Sequence, residues 1–74
     1  MLRSSVTSSN IAEVAYHEGK LYVKFFKSGW YEYSDVPMEV YTQLINAPSV
    51  GKYFLAEVRD RYHVTKITDE ALPA

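Results

Sequence analysis

Gly29-Trp30-Tyr31-Glu32-Tyr33, followed by Ser34-Asp35-Val36-Pro37, is the stretch on which the fold turns. It joins an aromatic strand signal to a helix-start signal. Side chains alternate across a strand, so register decides which aromatics share a face. The preceding turn, Lys27-Ser28-Gly29, admits two registers. A two-residue loop, Ser28-Gly29, puts Tyr31 and Tyr33 on the outer face and Glu32 beside Phe25 in the core. A three-residue loop with Gly29 in the left-handed position pairs Phe26 with Trp30. Tyr31 then meets Phe25, Tyr33 meets Val23, and Glu32 meets Lys24 outside. Burying an unpaired carboxylate costs several kcal/mol, whereas surface charge pairs return only tenths. The three-residue loop is therefore expected, with Tyr31 and Tyr33 inward and Trp30 and Glu32 outward.

Upstream, Ile11–His17 and Lys20–Phe26 flank Glu18-Gly19, a two-residue hairpin signal. Closing it sets His17 opposite Lys20, Tyr16 opposite Leu21, Val14 opposite Val23 and Ala12 opposite Phe25. The inner members are apolar, and Glu13 faces Lys24 on the other side, with Lys24 between Glu13 and Glu32. Downstream, Pro37 suits a helix start because its missing N–H would be unpaired there anyway. Val36, Val40, Tyr41 and Leu44 keep helical spacing. Asn46-Ala47-Pro48 ends that helix, and Ser49 reads as the N-cap of a second helix carrying Val50, Phe54 and Val58. Gly51 lies early in it, where close approach to the sheet would use a missing side chain. Val64-Thr65-Lys66-Ile67 is either a short fourth strand or a strapped tail. The expected fold is α+β: a three-stranded antiparallel β-meander with two short helices packed on one face. Residues 1–74 form a single domain, with an ordered core at about 6–64, a flexible arm at 1–5 and a fraying tail at 68–74.

Composition narrows the function. A chain of 74 residues buries only about 60% of its unfolded surface, so its seven Tyr, three Phe and one Trp must supply much of the stability. There are no cysteines, which excludes disulfides and thiolate metal sites and fits a reducing, cytoplasmic compartment. His17 and His63 are too few and too far apart for a metal site. A net charge of −1 gives no global field toward nucleic acid or membrane. No apolar run approaches the roughly 18–20 residues of a membrane span, and Met1–Ser5 lacks the apolar stretch of a signal peptide. No phosphate-binding glycine loop, paired carboxylates or activated nucleophile stands out, so the expectation is a module without catalysis, metal or cofactor.

The ordered set Ser8-Ser9-Asn10-Ile11, Tyr16, Gly29, Tyr31-Glu32-Tyr33, Val36-Pro37, Val40-Tyr41, Leu44, Ala47, Ser49, Gly51, Tyr53-Phe54 and Tyr62 resembles the KTSC domain family. The resemblance spans roughly residues 6–63. It departs at Ala15-Tyr16-His17, where the family more often has Gly-Tyr-Asp. Tyr31, Tyr33, Pro37, Tyr41, Gly51 and Phe54 read as the structural signature. The family is named for its occurrence at the C-terminus of some lysyl-tRNA synthetases and also occurs as small stand-alone bacterial or phage proteins. The resemblance thereby implies, by association, a role in binding RNA or tRNA.

The expected register brings Ile11, Phe26 and Trp30 together on the open face of the sheet, with Tyr22 and Ala15 further along and Lys20, Lys24 and Lys27 at the border. Three readings of that face stand side by side. The N-terminal arm or C-terminal tail covers it, through Leu2, Val6 or Ile67; it is a homodimer or protein-partner interface; or it is a stacking platform for single-stranded nucleic acid or a nucleotide. Ser8-Ser9-Asn10 reads first as hydrogen-bonding to the strand entry, and otherwise as a ligand contact. Lys52, Arg59, Arg61 and Lys66 form a sparse basic edge interleaved with Glu57 and Asp60.

Overall fold

The structure, a computed structural model, describes residues 1–73. Ala74, the end of the expected tail, lies outside them. One antiparallel sheet has the order β1 (Leu2–Ser5), β2 (Ile11–His17), β3 (Lys20–Phe25), β4 (Gly29–Tyr33) and β5 (Val64–Lys66). Two helices, α1 (Met38–Asn46) and α2 (Val50–Glu57), connect β4 to β5, and a short 3-10 turn, Asp69–Ala71, follows. The α+β class and the helical cover match the expectation, but there are five strands rather than three.

The β2–β3 hairpin closes through Glu18 and Gly19, both left-handed at φ 48° and 81°. His17 pairs with Lys20, Tyr16 with Leu21 and Val14 with Val23, as the turn chemistry requires. The ladder then slips by one residue at Ala12, so that Ile11, rather than Ala12, faces Phe25. This bulge reverses the face of Ile11. It joins the helix-side core at 1% exposure instead of the outer face.

The β3–β4 hairpin also differs from the expected register. Phe25 pairs with Gly29, Lys24 with Trp30, Val23 with Tyr31, Tyr22 with Glu32 and Leu21 with Tyr33. The loop has three residues, but they are Phe26, Lys27 and Ser28. Gly29 closes it with φ 82°, in the left-handed region foreseen for it. Phe26 has left the β4 ladder, and its N–H instead donates to the Asn10 carbonyl at 3.0 Å. The displacement amounts to two residues, one full side-chain period, so every face assignment in β4 survives. Of the charge pairing, Glu13 still stands opposite Lys24, but Glu32 stands opposite Tyr22. Glu13 pairs with Arg3, and Glu32 with Lys20 at 3.6 Å, so Lys24 does not bridge the two glutamates.

The main core lies between the sheet and the helices. Ile11, Val14, Tyr16, Leu21, Val23, Tyr33, Val36, Tyr41, Leu44, Val50, Phe54 and Val58 are its buried members. Phe54 makes edge-on contacts with Phe25 and Tyr33 at centroid distances of 5.4 and 5.7 Å. The Tyr16 hydroxyl donates to the Val36 carbonyl at 2.5 Å, which pins the β4–α1 link to β2. Pro37 stands at the N-cap of α1, and Ser49 caps α2 by accepting the Lys52 N–H at 3.3 Å. A side chain on Gly51 would meet only Ser8 Oγ at 3.8 Å, an ordinary contact, so the expected close approach to the sheet is not what this glycine serves.

The termini depart most from expectation. Residues 2–5 form an edge strand rather than a loose arm, with Leu2 opposite Tyr16 and Ser4 opposite Val14. Two side-chain bonds hold it: Ser4 Oγ lies 2.8 Å from the Tyr41 hydroxyl, and Arg3 pairs with Glu13. At the other end, Val64–Lys66 is a strand, and the residues after it become a strap. Met1, Ile67 and Leu72 pack over Ala15, Tyr22 and Trp30, forming a second small core on the far face of the sheet.

Candidate functional site

The strap removes the platform expected at Trp30. Trp30 is 3% exposed and Tyr22 2%. The Arg3 guanidinium lies 5.5 Å from the Trp30 ring centroid, and Lys24 Nζ lies 6.0 Å from it. Both cations lie against the buried indole, and Arg3 also pairs with Glu13. Burial, reinforced by the Glu32 carboxylate, pushes the Tyr22 hydroxyl up to about 12. Ile11 is in the other core, and Lys20 is paired with Glu32 near the opposite hairpin. The expected cluster is therefore dispersed. Of its members, Phe26 and Lys27 remain together and open to solvent, with Phe26 64% exposed at the tip of the β3–β4 loop.

What the fold does build is a cleft on the helix side, where three segments converge. The β1–β2 loop brings Ser9 and Asn10, the β3–β4 loop brings Phe26 and Lys27, and the start of α2 brings Ser49 and Lys52. Two adjoining hollows of about 280 and 240 Å³ share Ser9, Asn10 and Phe25. The Ser8 hydroxyl accepts the N–H groups of Asn10 and Ile11, both at 3.3 Å. That local turn presents Ser9 and Asn10 to the cleft. The chain has nine acidic residues, yet among the described residues no carboxylate lines either hollow. Lys27 and Lys52 supply positive charge, Phe25 and Phe26 supply ring faces, and Asn10, Ser9 and Ser49 supply hydrogen-bonding groups.

Asn10 and Lys52 were visible in the sequence as a polar clamp and part of a basic edge, but neither pointed to the other. They are 42 positions apart and line one hollow because the fold brings the start of α2 beside the β1–β2 loop. A third hollow, of about 500 Å³, continues past Phe25 and Phe54 toward Val64 of β5. No group of three or more metal-ligating side chains occurs among the described residues, and no helix there is long and apolar enough to cross a membrane.

A five-stranded antiparallel sheet with one helical layer, a strapped reverse face and an open cleft at one end defines a small α+β domain. The KTSC domain family matches residues 7–62, and the chain belongs to that family. It is also similar to the crystal structure of a KTSC domain protein from Yersinia pestis, with a TM-score of 0.83 and 28% identity, over 88% of this chain and 94% of that one. Comparison with curated proteins finds no match.

Proposed function

We propose that this domain is a non-enzymatic cytoplasmic module that binds a short single-stranded RNA segment in the cleft between the β1–β2 loop, the β3–β4 loop and α2. One observation carries the reading. Two lysines and three phenylalanines line hollows that, among the described residues, no carboxylate lines, in a chain whose net charge is −1. Single strands are bound by stacking bases on aromatic faces and neutralising phosphates with cations. Phe26 offers the exposed ring, Lys27 and Lys52 suit phosphates, and Asn10 suits the polar edge of an unpaired base. The family's association with lysyl-tRNA synthetases makes tRNA the first RNA to try.

The test is a residue-resolved titration of the 15N-labelled domain with short single-stranded RNA and with tRNA at low salt. Amides of Asn10, Phe26, Lys27 and Lys52 should shift. Phe26→Ala should weaken binding roughly 5- to 150-fold, the equivalent of about 1–3 kcal/mol for a lost stacked base. Lys27→Ala and Lys52→Ala should each flatten the salt dependence by about 0.7 in log–log slope. Silence of these amides under excess RNA at low salt would refute the proposal.

A further inference from the structure

β5 is an outer strand, and two hydrogen bonds determine which of its backbone groups face inward. Ser34 N–H donates to the His63 carbonyl at 3.0 Å, and Ile67 N–H donates to the Trp30 carbonyl at 3.1 Å. In an antiparallel pair, hydrogen-bonded and non-hydrogen-bonded positions alternate. His63, Thr65 and Ile67 therefore point their backbone groups at β4. Val64 and Lys66 point their N–H and C=O groups away from the sheet. All three residues of the strand are exposed.

Exposed edges are commonly guarded by a bulge, a proline or a lysine held outward. β5 has no bulge or proline, and its lysine is turned inward. Lys66 Nζ donates to the Ser28 carbonyl and lies 4.8 Å from the Tyr31 ring centroid. β5 adjoins the hollow of about 500 Å³, to which Leu55, Arg59 and Val64 contribute. Leu55 and Val64 are 55% and 42% exposed. The charge around this edge is also biased. Arg61 and Glu57 are paired at 3.8 Å, and Arg59 and Asp60 put one charge of each sign in the hollow, which leaves the Lys66 ammonium, held only by the Ser28 carbonyl and the Tyr31 ring, as the charge in excess.

We propose that β5 accepts an extended, acidic segment of a partner protein as a sixth, antiparallel strand. The outward groups of Val64 and Lys66 supply the backbone bonds. Side chains directly opposite each other share a face. The partner residue opposite Val64 is thus apolar and packs toward Leu55 in the hollow. The residue opposite Lys66 is a carboxylate, which takes the ammonium in exchange for the Ser28 carbonyl, and the one between them turns to the far face beside Thr65. In the antiparallel sense the partner carries an acidic residue two positions before an apolar one.

The probe is a capped seven-residue peptide, threonine-rich, with glutamate two positions before valine. Two control peptides carry lysine in place of the glutamate, or N-methyl groups on the residues that face Val64 and Lys66. Addition to the 15N-labelled domain should shift the Val64 and Lys66 amides and slow their hydrogen exchange at least tenfold. The N-methylated peptide should do neither. The lysine peptide should bind roughly two- to fivefold more weakly, the range for one opposed cross-strand charge pair. Lys66→Glu should reverse that preference while leaving the domain folded. Unchanged amides at millimolar peptide, or equal binding of the N-methylated peptide, would overturn the proposal. So would concentration-dependent shifts of the same amides without peptide together with a doubled mass, because the edge would then belong to a second copy of the chain.

Discussion

Replacing Trp30 with alanine separates a structural indole from a binding one. Trp30 is 3% exposed and is enclosed by Ala15, Tyr22, Met1, Ile67 and Leu72. Truncating a buried Phe or Trp to Ala costs about 3–5 kcal/mol, depending on how far the surroundings collapse. Here one wall of the site is a strap, which can settle into the space, so the low end applies: about 3 kcal/mol. That is a large share of the roughly 4–11 kcal/mol expected for a domain of this length. At about 4–8 °C per kcal/mol, Tm should fall by roughly 12–24 °C. Thermal melts followed by circular dichroism measure this directly, with Phe26→Ala as the exposed-aromatic control at less than about 0.5 kcal/mol. A Trp30→Ala protein melting within about 4 °C of the parent would refute the account of the far face as a second core. Loss of RNA binding by that same stable variant would return the stacking role to Trp30.

Two further expectations concern tyrosines. Tyr16→Phe removes the donor to the Val36 carbonyl and leaves a buried acceptor unpaired; it should cost about 1–3 kcal/mol, read as a lower urea midpoint at unchanged slope. Burial pushes the Tyr22 and Tyr33 hydroxyls from 10.0 up to about 12. The folded state then holds protons that the unfolded chain releases. Stability from these groups is intact below about pH 10 and is lost as pH rises toward 12. Urea midpoints should fall across that window, and a Tyr22→Phe/Tyr33→Phe double variant should fall less steeply.

Much of the fold was legible because period-two alternation tolerates even-numbered errors. The β3–β4 register was displaced by two residues, yet Tyr31 and Tyr33 still face the helices and Trp30 still faces away. Caps and breakers were equally readable: Glu18-Gly19, Pro37 and Ser49 each act through local backbone chemistry. The bulge at Ala12 was not readable, since no Gly or Pro marks it, and it moved Ile11 from one face to the other. β1 escaped notice because Leu2-Arg3-Ser4-Ser5 has no apolar alternation. Its stability comes from distant partners, the Tyr41 hydroxyl and the Glu13 carboxylate. The cleft was only half legible for a related reason. Phe26 and Lys27 stood out locally, but the docking of Asn10 and Lys52 beside them is a tertiary fact.

The order of the strands has a consequence for how the chain reaches this state. β1 through β4 each pair with their nearest neighbour in sequence, so their hairpins can close on the microsecond scale. β5 pairs with β4 only after both helices have been laid down between them. That long closure is entropically costly and belongs late in folding. The strap over Trp30 begins where β5 ends, so its docking waits on the same event. The one tryptophan of the chain therefore reports the final step of folding, and its fluorescence should lag behind the far-ultraviolet signal of the hairpins.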